Sequence, residues 1–245
     1  MFNFFSTSPS QNGNFILEGE NLNHLKNVLR MKVGDKVLVS YDNKNNLCEI
    51  KEITPSCAIA SILEQDYLDT SLPISITLFQ GLPKSDKMEL IIQKSVELGV
   101  DAIAPVEMQY SVVKLIGDKK DNKIKRWQAI SESAAKQSKR TCIPEVLNAM
   151  TFKKALEMAK DFDLIVVPYE NENGMQATKT FLSQIKKDMK IALFIGPEGG
   201  FSKEEIALAK EQNANIISLG KRILRTETAS LTALSMLMLF AEMNL

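Results

Sequence analysis

Hydrophobic and polar positions change their period near residue 70. Before it, short stretches alternate with a period of two: NFILEG (14–19), KVLVSYD (36–42), LCEIKEI (47–53) and CAIASILE (57–64). That period marks half-buried strands, and the intervening MKVGD, DNKNN and TPS read as turns. One helical pattern, GENLNHLKNVLR (19–30), carries Leu22, Leu25, Val28 and Leu29 on one face. Residues 1–70 therefore predict a small, mostly β domain, a barrel or a sandwich. Gln65 to Pro73 reads as a linker.

From Ile74 onwards strands alternate with helices. ISITLFQG (74–81), AIAPV (102–106), DLIVVPYE (163–170), KIALFI (190–195) and IISL (216–219) are strand-like. Helical patterns cover 86–100, 121–140, 151–160, 179–188, 203–212 and the chain from about Glu227. This order predicts an α/β domain over 71–245, a mostly parallel sheet with helices on both faces.

Composition narrows the classes. The chain has 245 residues, 44% of them hydrophobic, enough for one large core and a smaller one. Lys+Arg and Asp+Glu are 30 each, so net charge is silent about nucleic acid. Its distribution is not. From Lys114 to Arg140 there are nine basic and three acidic residues; the first 70 hold six basic and nine acidic. A basic band that includes Lys114, Lys123, Lys125, Arg126 and Arg140 suits phosphate contacts or, equally, a solvated helical face. Cys48, Cys57 and Cys142 are far apart and His24 is the one histidine, so a reduced, cytoplasmic chain without metal is expected. MFNFFSTSPS lacks a basic n-region, and 231–241 is too short and too polar to span a bilayer, so no membrane partner is expected.

The chemistry gathers in two loops. In IGPEGGFSKEE (195–205), a strand runs into a glycine turn, and Ser202 with Glu205 forms a capping box that opens a helix. Open α/β sheets bind ligands at such places. The loop is neither a P-loop nor G-x-G-x-x-G. Glu198 would repel a polyphosphate and suits a ligand with a cationic centre, such as S-adenosylmethionine. A tight turn carrying a solvated acid explains the loop as well. In LGKRILRTETASLTAL (219–234), Arg222 and Arg225 suit anionic groups, or Arg225 pairs with Glu198 or Glu227. Lys84 and Lys87, in GLPKSDKME (81–89), meet RNA phosphate or solvent. His24 beside apolar neighbours reads as packed, though its nearness to Arg30 also allows an RNA surface. Trp127 sits at core spacing. Asn171 and Asn173 line a pocket or turn. No nucleophile–base pair emerges.

Taken in order, HLKNVLR (24–30), KSDKMELIIQKSVELGV (84–100), KRWQAISESAAKQSKR (125–140), IGPEGGFSKEE and LGKRILRTETA (219–229) closely resemble the bacterial small-subunit rRNA uridine-N3 methyltransferases of the SPOUT class. The resemblance implies an N-terminal PUA-like RNA-binding β-barrel (1–70) and an α/β-knot domain (71–245) with a trefoil-knotted chain. It implies S-adenosylmethionine bound by Gly81, Leu193, Ile195, Gly196, Pro197, Gly199, Gly200, Leu219, Gly220, Leu224, Thr226, Thr228 and Ala229. It also implies a homodimer acting on 16S rRNA. From the charge distribution, RNA is expected to meet His24, Arg30, Lys84, Lys87, Lys114, Lys123, Lys125, Arg126, Arg140 and Arg222. Asn3, Asn27, Tyr110, Ser133 and Lys139 depart from the family pattern; Asn3 and Asn27 stand where Arg is usual, Lys139 where Gly is.

The implied reaction is methyl transfer to N3 of one uridine in the decoding-region helix. Its N3–H is weakly acidic, so catalysis needs positioning and stabilisation of a developing anion. Arg225 is expected to hold that charge, and Glu198 either to attract the cationic cofactor or, preferably, to hold Arg225; the proton acceptor stays open, with Glu227 as a candidate. The alternatives are another SPOUT RNA methyltransferase, acting on ribose 2′-O or a tRNA base, and a non-catalytic RNA-binding assembly factor.

Overall fold

In a computed structural model of the chain, residues 1–113, 118–170, 172 and 174–245 are described. Lys114, Asn171 and Asn173 lie outside the described residues. The chain forms two compact units, Met1–Ser71 with Ala135–Ile143, and Leu72–Ala134 with Pro144–Leu245.

The first unit contains β1 (Asn3–Phe5), β2 (Asn14–Leu17), α1 (Gly19–Asn23), β3 (Lys36–Tyr41), β4 (Lys44–Ile53) and β5 (Ala58–Glu64). Its sheet runs β1-β3-β4-β5-β2; β1 pairs β3 in parallel and the other pairs are antiparallel. Alternate residues Phe15, Leu17, Val37, Val39, Cys48 and Ile50 point into one core, capped by Leu22 and Leu25. Leu25 belongs to a π-helical turn, His24–Val28, so the helix expected over 19–30 is broken into two short pieces. Burial pushes the Cys48 thiol up to about 12, so it stays protonated and packs as an apolar group.

Polar side chains of this unit grip the turn after its last helical residues. Asn3 Nδ2 donates to the Arg140 carbonyl (3.0 Å), and Asn45 Nδ2 and Thr70 Oγ1 donate to that of Lys139 (3.0 and 3.2 Å). The Ser40 hydroxyl lies against the carboxamide oxygens of both Asn3 and Asn45. Two departures from the resembled family, Asn3 and Lys139, thus meet at one place. Lys139 has φ 58°, a left-handed conformation that costs a residue with Cβ about 1–2 kcal/mol. Glycine recovers part of this and loses some to unfolded-chain entropy. Lys139→Gly should therefore raise stability by about 0.5–1 kcal/mol, read as a higher urea midpoint at unchanged m. A lower midpoint would mean that the lysine side chain contributes more than the strain costs.

The second unit contains β6 (Ser75–Gly81), α2 (Lys87–Glu97), β7 (Ala102–Glu107), α3 (Asp118–Ser138, whose last turn belongs to the first unit), β8 (Glu145–Val146), β9 (Met150–Thr151) and α4 (Phe152–Met158). There follow β10 (Leu164–Pro168), α5 (Gln176–Leu182), β11 (Lys190–Ile195), α6 (Lys203–Glu211), β12 (Asn215–Ile217) and α7 (Thr226–Asn244). The sheet runs β12-β10-β11-β6-β7-β8, with β9 also beside β7, and every pairing is parallel. This is the parallel α/β arrangement expected over 71–245. The central strands β6 and β11 are nearly continuous apolar runs because both faces are covered. Phe79 and Phe194 stack at 4.5 Å on the face covered by α4 and α6. Helices α2 and α7 pack on each other, with Ile91, Ile92, Val96, Leu234 and Leu237 buried.

Among the described residues no helix is long and apolar enough to cross a membrane, and no group of three or more His, Cys, Asp or Glu could hold a metal ion.

Candidate active site

Strands β6 and β11 are neighbours in register, Gln80 beside Ile195, so the loops that leave them start side by side. Helix α7 starts against both. Gln80, fully buried, donates from Nε2 to Thr226 Oγ1 (3.0 Å) and accepts from the Ser230 hydroxyl. Thr226 in turn donates to the Gly196 carbonyl (2.6 Å). This buried chain of bonds ties the middle of the sheet, the glycine loop and the first turn of α7 together.

A cleft of about 370 Å³ opens beside the network. Of the residues expected to bind a cofactor, Ile195, Gly196, Pro197, Gly200, Leu219, Gly220, Leu224, Thr226 and Ala229 line it, as do Glu198, Arg222 and Arg225. The others stand off it. Leu193 is buried inside β11, Thr228 is exposed on α7, Gly81 ends β6 under Pro197, and Gly199 packs against Tyr110. Thr226 lines the cleft, but its hydroxyl is already bonded to Gln80 and Gly196, so it orders the loop.

Lys87, at the first position of α2, sits between two acids. Its Nζ lies 3.0 Å from Glu198 Oε1 and 3.3 Å from Glu227 Oε2. Glu198 also accepts the Lys84 backbone N–H at 3.0 Å. Partial burial pushes the Glu198 carboxyl up; the hydrogen bonds from Lys87, its own N–H and Lys84 outweigh it and hold the group below its ordinary value. Lys87 is held above its ordinary value, first by its hydrogen bond to Glu198, against desolvation, with Glu227 adding to it. Two expectations are corrected here. Among the described residues Arg225 pairs with neither Glu198 nor Glu227, because Lys87 occupies both acids. For the same reason Lys87 is not a cation awaiting phosphate.

The remaining basic positions divide by exposure. Arg30, Lys84, Lys123, Lys125, Arg126 and Arg222 are exposed. Arg126 is paired with Glu89 (2.9 Å), and Lys123 lies 5.9 Å from the ring centre of Trp127, which is itself buried as its spacing predicts. Arg140 is only 3% exposed, so it is withdrawn from the expected RNA contacts; its guanidinium approaches the Cys142 sulfur at 3.9 Å. His24 is half-buried edge-on to Phe4, which fits the packed reading.

Several residues in and beside the cleft escaped the sequence reading. Gln80 hides in an apolar strand, where a lone amide gives no periodic signal. Pro168 ends β10, Tyr169 and Glu170 follow it, and Phe201, Ser218, Lys221 and Ile223 complete the wall. The position of 163–170 as a parallel strand was a usable signal, since its C-terminal end had to face the same side as that of β11.

Comparison with known proteins shows the family. An RNA methyltransferase domain model matches residues 70–238, and an RNA methyltransferase PUA domain model matches 17–63. The ribosomal RNA small subunit methyltransferase E of Bacillus subtilis is 38% identical over 225 residues, which cover 90% of this chain and 88% of that protein. The chain belongs to the ribosomal RNA small subunit methyltransferase E family. Among solved structures, the family member from Neisseria gonorrhoeae bound to S-adenosyl methionine is 32% identical, with a TM-score of 0.81 and 96% of each chain covered. A crystal structure of a hypothetical protein superposes with a TM-score of 0.92 at 35% identity, covering 98% of this chain and 99% of that one. The methyltransferase model of the family spans both loops that form the cleft, and its PUA model falls within the first unit.

Proposed function

We propose that this chain transfers a methyl group from S-adenosylmethionine to N3 of one uridine in the decoding-region helix of 16S rRNA, giving 3-methyluridine. One observation carries the reading: the acid-bearing glycine loop and the arginine loop of this methyltransferase family member face each other across one cleft. The cleft fits the cofactor. Ile195, Leu219 and Leu224 offer apolar walls for an adenine, and Glu170 stands on the wall as a carboxylate that a cationic group can meet, Glu198 being paired with Lys87. Gly200 (φ 69°) and Gly220 (φ 114°) expose backbone groups to it without a Cβ. When bound, the cofactor supplies an electrophilic methyl group on a sulfonium.

The chain's own residues do the rest. Arg225, exposed at the start of α7, is placed to neutralise charge on the uracil oxygens as N3 loses its proton. Glu227, in the first turn of α7, is the candidate acceptor for that proton; its Oε2 is buried and lies 3.3 Å from Lys87 Nζ. The target base must leave its stack to reach such a cleft. Small ribosomal subunits lacking the modification, incubated with the protein and labelled cofactor, should yield 3-methyluridine on nucleoside mass spectrometry. A 2′-O-methylated nucleoside, or no labelled product, would refute the reading.

RNA contact is assigned to the exposed cations Arg30, Lys84, Lys123, Lys125, Arg126 and Arg222. Reversing Lys123, Lys125 and Arg126 to Glu should weaken RNA binding and flatten its salt dependence, while cofactor affinity stays as in the wild type. An unchanged salt slope would make these residues a solvated face.

The active form is proposed to be a homodimer in the bacterial cytoplasm. Leu90 of α2 and Leu239, Met243 and Leu245 at the end of the chain are exposed, although Leu234 and Leu237 are spent inside the unit. That remaining apolar surface suits a self-complementary contact. Sedimentation should give twice the chain mass at micromolar concentration; a monomer there would sink the dimer.

A further inference from the structure

Lys87 joins three segments that converge on the cleft: the start of α2, the glycine loop at Glu198 and the first turn of α7 at Glu227. Both acids point at one ammonium, and none of the three is fully solvated: their side chains are 30%, 27% and 15% exposed. Two carboxylates this close to a shared point repel each other unless a cation stands between them. The Lys84 N–H adds a second donor to Glu198, so the loop after β6 is fastened to the glycine loop by backbone as well as side chain. The other charged groups lining the cleft are Glu170, Lys221, Arg222 and Arg225. Nearby on the α2 side stand Asp86 and the paired Glu89.

We propose that Lys87 is a positioning residue, a shared counter-ion between Glu198 and Glu227 that fixes the glycine loop against the start of α7. The proposal rests on the methyltransferase reading for its consequence, and on geometry alone for its mechanism. It differs from a phosphate contact in what it couples. A phosphate-binding lysine acts on RNA affinity; this one acts on two acids within the same chain.

Titration of the Glu198 carboxyl tests the mechanism without any substrate. In protein labelled with 13C-carboxyl glutamate, with the Glu198 signal assigned by its loss in E198Q, Lys87→Met should raise the midpoint by about one pH unit or more. Lys87→Arg should restore most of the difference, because it keeps the cation. An unchanged midpoint in Lys87→Met would overturn the proposal. Turnover on small ribosomal subunits at saturating cofactor tests the consequence. Lys87→Met should lower it about tenfold, and the Lys87→Met/Glu198→Gln double variant should lose no more than the worse single one, as expected of one coupled unit. Losses that multiply, with a flatter RNA salt dependence, would return Lys87 to the phosphate contacts. An inactive wild type would defeat the methyltransferase reading instead, and the titration would still decide the role of Lys87.

Discussion

Replacing Gly81 by alanine should cost the protein about 1–3 kcal/mol of stability and at least tenfold in cofactor affinity. Gly81 is the last residue of β6 and is paired with Val106 on β7, so it cannot shift without disturbing the sheet. A Cβ at this position would lie 2.6 Å from both the nitrogen and Cδ of Pro197 and 2.9 Å from the Gly196 carbonyl carbon. These are backbone and ring atoms, which have no rotamer to change. The glycine loop must therefore move away from the strand. Its Gly196 carbonyl accepts the 2.6 Å bond from Thr226, so that movement pulls on the start of α7 as well. Thermal unfolding reads the first effect and calorimetry with S-adenosylmethionine the second. Wild-type values for both would mean that the loop has more room than these distances allow.

The fold was legible wherever one period ran long enough. Ile76 to Phe79 and Ile191 to Ile195 read as buried strands, and the alternation of strand with helix was sufficient to predict a parallel sheet. The capping box was also legible: Ser202 and Glu205 exchange both bonds, at 3.1 and 2.9 Å. Unforeseen was the second oxygen of Glu205, which accepts the Gln109 N–H at 2.9 Å and so anchors the segment after β7. Strand β1 was missed because Asn3–Phe5 is too short to show a period, and it is held by pairing with β3.

The site was half legible for a related reason. A glycine turn and an arginine segment are local patterns and announce themselves. Which acid meets which cation is decided by strand order. Glu198 and Lys87 come together because β11 lies beside β6, a neighbour relation that no local spacing encodes. A developing anion on the substrate favoured Arg225 as the partner of Glu198, but the α2 lysine holds the acid instead. Gln80 shows the same limit: an amide in a buried strand is silent until Thr226 and Ser230 are seen to close on it.

With Glu198 occupied by Lys87, the role proposed for Arg225 in stabilising the uracil anion predicts that its removal has the largest effect on rate. Arg225→Ala is expected to lower turnover on small ribosomal subunits by roughly two to three orders of magnitude, the usual loss when one donor to a developing anion is removed. Its side chain is exposed and, among the described residues, paired with neither Glu198 nor Glu227, so truncation leaves no buried charge behind. Its backbone contribution survives, because the Arg225 carbonyl still accepts the Ala229 N–H at 2.8 Å and α7 still begins at Thr226. Cofactor affinity should therefore stay within about threefold of wild type and the melting temperature should hardly move, which separates lost transition-state stabilisation from lost binding. Arg225→Lys keeps the charge but loses the planar fork that can donate to two acceptors at once, so it should recover only part of the rate. Single-turnover measurements at saturating cofactor and RNA make the comparison free of binding. A rate for Arg225→Ala within threefold of wild type would remove this arginine from the chemistry and direct the same test to Arg222, the other arginine on the cleft wall.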